Sequence, residues 1–358
     1  MTHKIRVREA SMTEVTEFVR LSSEGGLPSL VCDVDHVAWK HLTSPTGASI
    51  AVDILSDDVV CGRLWVTRRN WQIQEHQIMI GVPQDLLITQ ENRSLREIAD
   101  LINTAFRIAT DVGGVMFHGS NPNSDKLYKQ LYRSVESFRL RASVIPIAPL
   151  SLWYRLIRKK ELSNTFIDRI FRSILSAILL MLRGNVVLSA KHLSDELSDV
   201  FRLFGLSEAC TAVRDEDFFR WRFQTDKSTT YTIRTIQIKN QIVGYVVWTD
   251  TTAFRVRARV VIDIVCIRPI SLLDRIRLWL QVAAHDNSAI DLLLFIANFE
   301  NPTLRRIASL PLLRVPSRLM PQIIPIYVRG DNKTINFAKK EPNWFRTAYF
   351  TLSDLDFF

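Results

Sequence analysis

A short pattern occurs twice in the chain, and this repeat restricts the fold more than any other feature of the sequence. A helix-forming run that ends in Trp39-Lys40 has a counterpart that ends in Trp221-Arg222, and acidic residues precede both pairs. Each run is followed by two apolar stretches typical of paired strands, with Gly62 and Gly244 in the second strand of each pair. Two copies of one α+β unit explain a length of 358 residues better than one large domain does.

The N-terminal copy shows its strands most clearly. Alternation predicts a first strand at Lys4–Arg8, followed by a helix that Ser11 or Thr13 caps. Two further strands are expected at 49–55 and 59–68, joined by a tight polar turn at Asp57-Asp58, and another around 77–82. We predict a first domain at 1–148, a connector at 149–188 and a second domain at 189–358.

Composition excludes several classes of protein. Apolar residues make up 47% of the chain and charged residues 23%, which is typical of a globular chain with a sizeable core. A formal net charge of +9 favours anionic partners, but the basic residues form no long block, so a nucleic-acid-binding tail is not expected. The four cysteines lack the spacing of a metal site or a disulfide framework. No signal segment or long apolar run is present, so we expect a cytoplasmic protein.

The connector differs in character from both copies. The stretch Trp153–Arg183 holds seven Lys or Arg residues, whereas Glu161 and Asp168 are its only acidic residues. A basic amphipathic helix of this kind can lie on an acidic membrane surface, here the inner face. It can equally be a connecting helix that packs across both domains, and the sequence leaves both interpretations open.

The stretch Asp85–Arg133 contains the most informative order of elements. It reads as strand, loop, helix, strand, turn and helix, with Gly113-Gly114 before the second strand. A strand that leads into a helix N-terminus forms a natural anion site, because free backbone N–H groups and the helix dipole point at the ligand. No metal-ligand spacing, nucleophile elbow or Walker lysine loop accompanies it.

These residues together resemble the GCN5-related N-acetyltransferase (GNAT) superfamily in tandem. The opening strand Ile5–Ala10 looks like that of the family, and Trp39-Lys40-His41 with Pro45 and Gly47 resembles the W-K/R-Y/H-x-x-x-P-x-G pattern of a bacterial subgroup. The resemblance implies an α+β fold of two mixed-sheet domains joined by the basic connector. It also implies an acyl-CoA-dependent N-acyltransferase that transfers an acetyl group to a small amine or an amino sugar.

The resemblance assigns roles to named residues. In the family, acyl-CoA binds where two central strands separate, so Leu87 and Ile88 would offer backbone groups to the pantetheine. Asp85, just before the separated strand, is a candidate general base, and Tyr128 is a candidate acid for the leaving thiolate. The acetyl-CoA contacts that the resemblance implies are Leu87, Ile88, Arg93, Ser94, Leu95, Arg96 and Asn121.

The phosphate loop also supports an alternative function. Arg93 matches the first position of the family's loop, but Arg96 and Ile98 occupy the positions of its two small residues. The second copy has Ile267–Ser271 in this place and contains no glycine there. The alternative to an enzyme is therefore a catalytically inactive binding or scaffold module with the same fold.

Overall fold

A computed structural model describes residues 3–27, 29–118, 136–154, 165–182, 185–190, 197–225, 228–253, 256–287, 290–316, 324–330 and 345–355. The chain divides into two compact units. The first comprises Met1–Arg139, Ala209–Thr229 and Ile324–Arg346, and the second Leu140–Glu208, Thr230–Ile323 and Thr347–Phe358. Each unit is built from three separate segments of the chain. The domain boundaries expected from the sequence, at 148 and 188, stay a prediction.

The elements are named here in chain order. Those of the first half are β1 (His3–Glu9), α1 (Met12–Glu24), α2 (Val34–Leu42), β2 (Ile50–Ser56), β3 (Val59–Ile73), β4 (His76–Ile88), α3 (Leu95–Val112), β5 (Gly114–His118), β6 (Glu136–Pro146), α4 (Pro149–Trp153), α5 (Phe166–Met181) and β7 (Val186–Ser189). Those of the second half are α6 (Ser198–Ser207), β8 (Cys210–Ala212), α7 (Glu216–Arg220), β9 (Thr232–Ile238), β10 (Gln241–Ala253), β11 (Val256–Cys266), α8 (Leu272–Ala284), β12 (Leu292–Ala297), α9 (Pro302–Ile307), β13 (Leu313–Arg314) and β14 (Ile324–Gly330).

Local chemistry explains where several elements begin. Ser11 and Glu14 form a reciprocal capping box at the start of α1, as the sequence predicts for Ser11. The side chains of Asp33, Ser94 and Ser271 accept backbone N–H groups at the starts of α2, α3 and α8. Asp57 and Asp58, with φ of 51° and 63°, form the tight turn between β2 and β3.

The sheet of the first unit runs in the order β1-β2-β3-β4-β5-β14. All neighbours are antiparallel except β4 and β5, which are parallel. Strand β14 comes from near the C-terminus and pairs with β5, and the short β8 pairs with the far end of β3. The second half of the chain therefore completes the sheet of the first unit.

The sheet of the second unit has a comparable plan, in the order β6-β12-β11-β10-β9-β7. Among its described strands only β11 and β12 are parallel neighbours, and the short β13 pairs with β6. Strand β6 lies inside the first domain predicted from the sequence, at 1–148, but it pairs with β12 of the second unit. A mixed sheet with one central parallel pair is thus present in each unit, which confirms the α+β class.

Helices cover both faces of the first unit's sheet. On one face, α3 packs Leu101, Ala105 and Phe106 against the strands. On the other face, α1 and α2 bury Phe18 and Val37 in a cluster with other side chains of the sheet. Packed apolar side chains therefore cover both faces of the sheet that contains β4 and β5.

The repeated tryptophans meet within the first unit. The rings of Trp39 and Trp221 stack with centroids 5.1 Å apart, and each indole N–H donates to the backbone carbonyl of the other residue. Thr43 and Thr225, each four residues further on, donate to the same two carbonyls at 2.8 Å. The two copies of this short motif therefore make matching contacts with one another.

Candidate functional site

The parallel strands β4 and β5 separate after a single pairing. Gly81 pairs with Val115, and no further bridge between the two strands occurs among the residues that the structure describes. β4 continues to Ile88 and β5 to His118. Because both strands run in the same direction, a cleft opens between their C-terminal halves.

Two glycines fix the geometry of β4. A Cβ on Gly81 would lie 2.5 Å from the Cβ of Ala109, so glycine is needed where α3 crosses the strand. A Cβ on Gly62 would lie 3.0 Å from the side chain of Ile88, which is tighter than ordinary contact. These two close contacts hold β4 against α3 at Gly81 and against β3 at Ile88.

A bulge in β4 lies between these two points. The register with β3 shifts between Arg63, which pairs with Leu87, and Trp65, which pairs with Gln84. Asp85 has a φ of 54°, the left-handed region that Asp tolerates better than most residues. The bulge turns the strand locally and directs the Asp85 side chain towards α2.

Asp85 is the acceptor in a cluster of charged side chains. The Lys40 Nζ lies 2.8 Å from its Oδ2 and the His41 Nε2 lies 3.2 Å from the same atom. Burial alone raises the pKa of an acid, but Lys40 and His41 outweigh it, so the pKa of Asp85 lies well below its ordinary value. A carboxylate with a lowered pKa holds a proton weakly, and this weakens it as a general base.

His41 is held on both sides. Its Nδ1 lies 3.1 Å from the Ser49 hydroxyl, and its ring stacks on Trp65 with centroids 4.2 Å apart. The His41 side chain is fully buried, so it orients Asp85 from inside the unit. The sequence pattern predicts a motif that contains Lys40 and His41 but does not assign the two residues to this site. The signal was their position beside Trp39 on a helix that docks on the sheet.

The loop after β4 leads into a helix that can receive an anion. Ser94 begins α3, and its hydroxyl accepts the Glu97 N–H at 3.4 Å. The N–H groups of Leu95 and Arg96 point out of the first turn, and no described part of the chain accepts them. The helix dipole adds partial positive charge at this end.

Arg93 lies between the strand end and this helix. Its Nε–H donates to the Ile88 carbonyl at 2.9 Å, and this hydrogen bond fixes the position of the guanidinium group at its Nε. Within the described chain its terminal nitrogens make no hydrogen bond or ion pair. The side chain is exposed, so two N–H edges remain available to a phosphate.

The two departures from the family's loop have different structural outcomes. The Arg96 side chain is 89% exposed and reaches only Asp100, at 4.0 Å, along the same helix. Ile98 packs against the core on the α3 face. Neither side chain therefore fills the space in front of the first turn of α3.

The structure brings seven of the nine predicted residues together at the end of β4 and the start of α3: Asp85, Leu87, Ile88, Arg93, Ser94, Leu95 and Arg96. Leu87 packs on the α1–α2 face and Ile88 on the α3 face, so their backbones line the edge of β4. Asn121 and Tyr128 lie outside the described residues. No cluster of metal-binding side chains occurs in the described ranges.

The equivalent cleft of the second unit is filled by the chain itself. Strands β11 and β12 pair up to Val261 and Phe295 and then separate. The segment Ala348–Thr351 lies there, where Thr351 bridges to Ala297 and the Tyr349 hydroxyl donates to the Ile264 carbonyl. All four residues of the segment are completely buried.

Further hydrogen bonds hold this segment in place. The Thr351 hydroxyl donates to Asp263 at 2.8 Å, and the Asn298 N–H donates to the Phe350 carbonyl at 2.9 Å. The Asn298 side-chain amide donates to the Ala348 carbonyl at 2.8 Å. An extended ligand cannot enter between β11 and β12 without displacing this network.

Two cavities lie beside these features. One of about 170 Å³ in the second unit is lined by Arg268, Arg275 and Arg306 near the start of α8. A larger one of about 650 Å³ in the first unit lies over the stacked tryptophans. Its charged lining residues are Asp33, Asp35, Asp217 and Arg220, and His36 and Ser228 also reach it.

Comparison with solved structures identifies the fold. No protein-family model matches the sequence, and a search of curated proteins finds no match. A GCN5-related N-acetyltransferase from Anabaena variabilis is similar with a TM-score of 0.59 and 11% identity, over 91% of this chain and 72% of that one. N-myristoyltransferase from Saccharomyces cerevisiae with bound myristoyl-CoA gives 0.57 and 11%, over 91% and 79%.

A third structure agrees with these two. A probable N-acyltransferase from Enterococcus faecalis has a TM-score of 0.56 and 11% identity, over 91% of this chain and 72% of that one. The chain therefore has the fold of GCN5-related N-acetyltransferases and N-myristoyltransferase. At this identity the likeness concerns the fold, and the bacterial subgroup stays a prediction.

Proposed function

We propose that the chain is an acyl-CoA-dependent N-acyltransferase whose first unit binds the donor between β4 and β5. The observation that carries this proposal is the parallel pair that joins only at Gly81 and Val115 and then opens beside the start of α3. A pantetheine arm can add to the open edge of β4 near Leu87 and Ile88 through backbone hydrogen bonds. The pyrophosphate then reaches Arg93 and the free N–H groups of Leu95 and Arg96.

The reaction requires one bond to form and one to break. The amine nitrogen attacks the thioester carbon, the C–S bond breaks, and the thiolate takes a proton as the amine loses one. Tyr128 stays the proposed proton donor and Asn121 the proposed contact to the cofactor arm. The ion pair with Lys40 favours a different role for Asp85, which is to hold α2 and the bulge of β4 in place.

We propose an amine acceptor and acetyl as the acyl group. The 650 Å³ cavity supports a cationic acceptor, because three of its four charged side chains are carboxylates and two tryptophans form its floor. Helix α2 supplies Lys40 to the Asp85 cluster and Asp35 to the cavity. An amino sugar or another small amine fits this charge.

Calorimetric titration tests donor binding directly. The full chain is titrated with CoA, acetyl-CoA and a longer acyl-CoA, and one molar equivalent of donor is expected to bind. Arg93→Gln should weaken binding about tenfold, because a charge-assisted hydrogen bond contributes about 1.5–3 kcal/mol. Arg107→Gln, on an exposed part of the same helix, removes the same charge and should leave affinity unchanged. No binding at millimolar donor would overturn the proposal.

A transfer assay separates the enzyme from the inactive binding module. Free thiol released from acetyl-CoA is measured with a panel of primary amines and amino sugars. Asp35→Asn with Asp217→Asn should raise the KM of a cationic acceptor and leave the donor affinity unchanged. Donor binding without thiol release for any amine in the panel would favour the inactive module.

A further inference from the structure

Helix α5 in the second unit presents an apolar face that no described part of the chain covers. Its exposed apolar side chains include Ile170 (44% exposed), Ile174 (49%) and Met181 (79%). The full set, which lies along the whole helix, is Phe166, Ile167, Ile170, Ile174, Ile178, Leu180 and Met181. Isolated apolar residues on a surface are ordinary, but a continuous set on one helix marks an interaction surface.

The spacing places most of these side chains in one stripe. Members of the stripe recur every three or four residues, which keeps them on one side of a helix: Ile167, Ile170, Ile174, Ile178 and Met181. The opposite side holds the one buried residue, Asp168. A continuous apolar stripe on a helix is normally buried, and no described part of the chain covers this one.

Polar contacts fix the inner side of α5 to the second unit. Asp168 accepts the Leu150 N–H at 3.0 Å and the Ser151 hydroxyl at 2.5 Å. The Arg172 guanidinium donates to the Ile290 carbonyl at 3.1 Å. These contacts fix the rotation of α5 about its axis, so the stripe on its outer side has a defined orientation.

The charge of the sequence in and beside α5 favours an anionic partner, although of its seven basic residues only Arg169 and Arg172 belong to the helix. Between residues 153 and 183 the sequence has seven Lys or Arg residues and two acidic ones, and one of the two, Asp168, is buried. Exposed Arg169 lies within the helix, and exposed Trp153 ends α4 shortly before it. An apolar stripe with basic residues and an aromatic residue suits the boundary of an anionic lipid bilayer.

We infer that α5 lies flat on an anionic lipid surface, with its stripe in the headgroup region. No described helix is long and apolar enough to cross a membrane. At about 1.5 Å per residue a helix of this length is shorter than a bilayer core, which agrees with lying on the surface. A cytoplasmic protein would meet this surface at the inner membrane face.

Liposome flotation of the full chain tests the inference. Vesicles of phosphatidylcholine alone are compared with vesicles that contain about 30% phosphatidylserine, at about 0.1 M and about 0.5 M salt. Binding is expected only with phosphatidylserine and is expected to fall at least threefold in the higher salt. Failure to float with either vesicle would overturn the inference and leave the donor-binding proposal untouched.

Matched variants locate the surface. Ile170→Ser with Ile174→Ser should reduce binding at least tenfold. Leu203→Ser with Leu206→Ser removes two exposed leucines of α6 in the same unit and should leave binding unchanged. Circular dichroism and the thermal midpoint confirm that both variants fold.

Sedimentation velocity separates a lipid partner from a second copy of the chain. If the stripe faced another copy, the wild type would sediment as a dimer and the Ile170→Ser, Ile174→Ser variant as a monomer. That result, or unchanged lipid binding in this variant, would overturn the inference. Monomeric wild type with stripe-dependent binding to phosphatidylserine would support it.

Discussion

Replacing Asp85 with Asn should destabilise the chain much more than replacing a surface carboxylate. The Asp85 and Lys40 side chains are 21% and 7% exposed, and their charged atoms are 2.8 Å apart. Removing one partner of a buried ion pair costs about 3–5 kcal/mol, because the other charge stays buried. Partial exposure of Asp85 places the expected loss near the lower end, at about 3 kcal/mol.

Urea denaturation at pH 7 measures this loss. Asp58→Asn is the control, since Asp58 is 82% exposed in its ion pair with Lys4 and should change stability by less than about 1 kcal/mol. Combining Asp85→Asn with Lys40→Met should restore part of the loss, because the buried ammonium that faced the Asp85 carboxylate is then removed as well. A double variant no more stable than Asp85→Asn would contradict the ion-pair explanation.

The pH dependence gives a second measurement of the same cluster. The pKa of Asp85 is lowered in the folded chain, so its stabilisation is present above the unfolded pKa of about 3.9 and is lost as the pH falls further. The stability difference between wild type and Asp85→Asn should shrink as the pH falls below about pH 4.

Thiol release completes the test of Asp85. If it were the general base, Asp85→Asn would abolish turnover while costing little stability. A loss under about 1 kcal/mol together with abolished transfer would therefore refute the structural role.

Three further results are expected. Gly81→Ala should cost about 1–3 kcal/mol in a thermal melt, because its Cβ would lie 2.5 Å from the Cβ and 2.6 Å from the Cα of Ala109, and Ala109→Gly in the same chain should not rescue it, since the contact with the Ala109 backbone remains. Donor titration should give one site per chain, since the second cleft is filled, and two equivalent sites would contradict the filled cleft. Burial raises the pKa of Cys266 to about 12, so a thiol reagent at pH 8 should label the partly exposed Cys32 and leave Cys266 unmodified until the chain is unfolded, as peptide mapping would show.

Local patterns in the sequence predict the elements of this fold well, and their limits are physical. The strand at Lys4–Arg8 and the turn at Asp57-Asp58 are confirmed, because alternation and turn chemistry depend on neighbouring residues. The stretches around 77–82 and after Asp85 form one strand, β4, rather than two. The bulge at Asp85 interrupts the alternation, so one strand resembles two separate segments.

Pairing between distant parts of the chain was not predictable in the same way. Strand β14 completes the first unit's sheet and β6 that of the second, although the sequence suggests that each copy closes on itself. Strand pairing is set by the whole fold, and nothing near Ile324–Gly330 encodes its partner. The contact of Lys40 with Asp85 is not predictable from the sequence for the same reason, since it depends on how α2 packs on the sheet.

Backbone chemistry explains why the two clefts should differ in function. Where parallel strands separate, their facing N–H and C=O groups lose their partners, and burying them unpaired is costly. In the second unit the chain supplies the partners through Ala348–Thr351. In the first unit no described segment does so beyond Gly81 and Val115. Under the proposed function, a pantetheine arm, which carries two amides in an extended chain, would supply these partners.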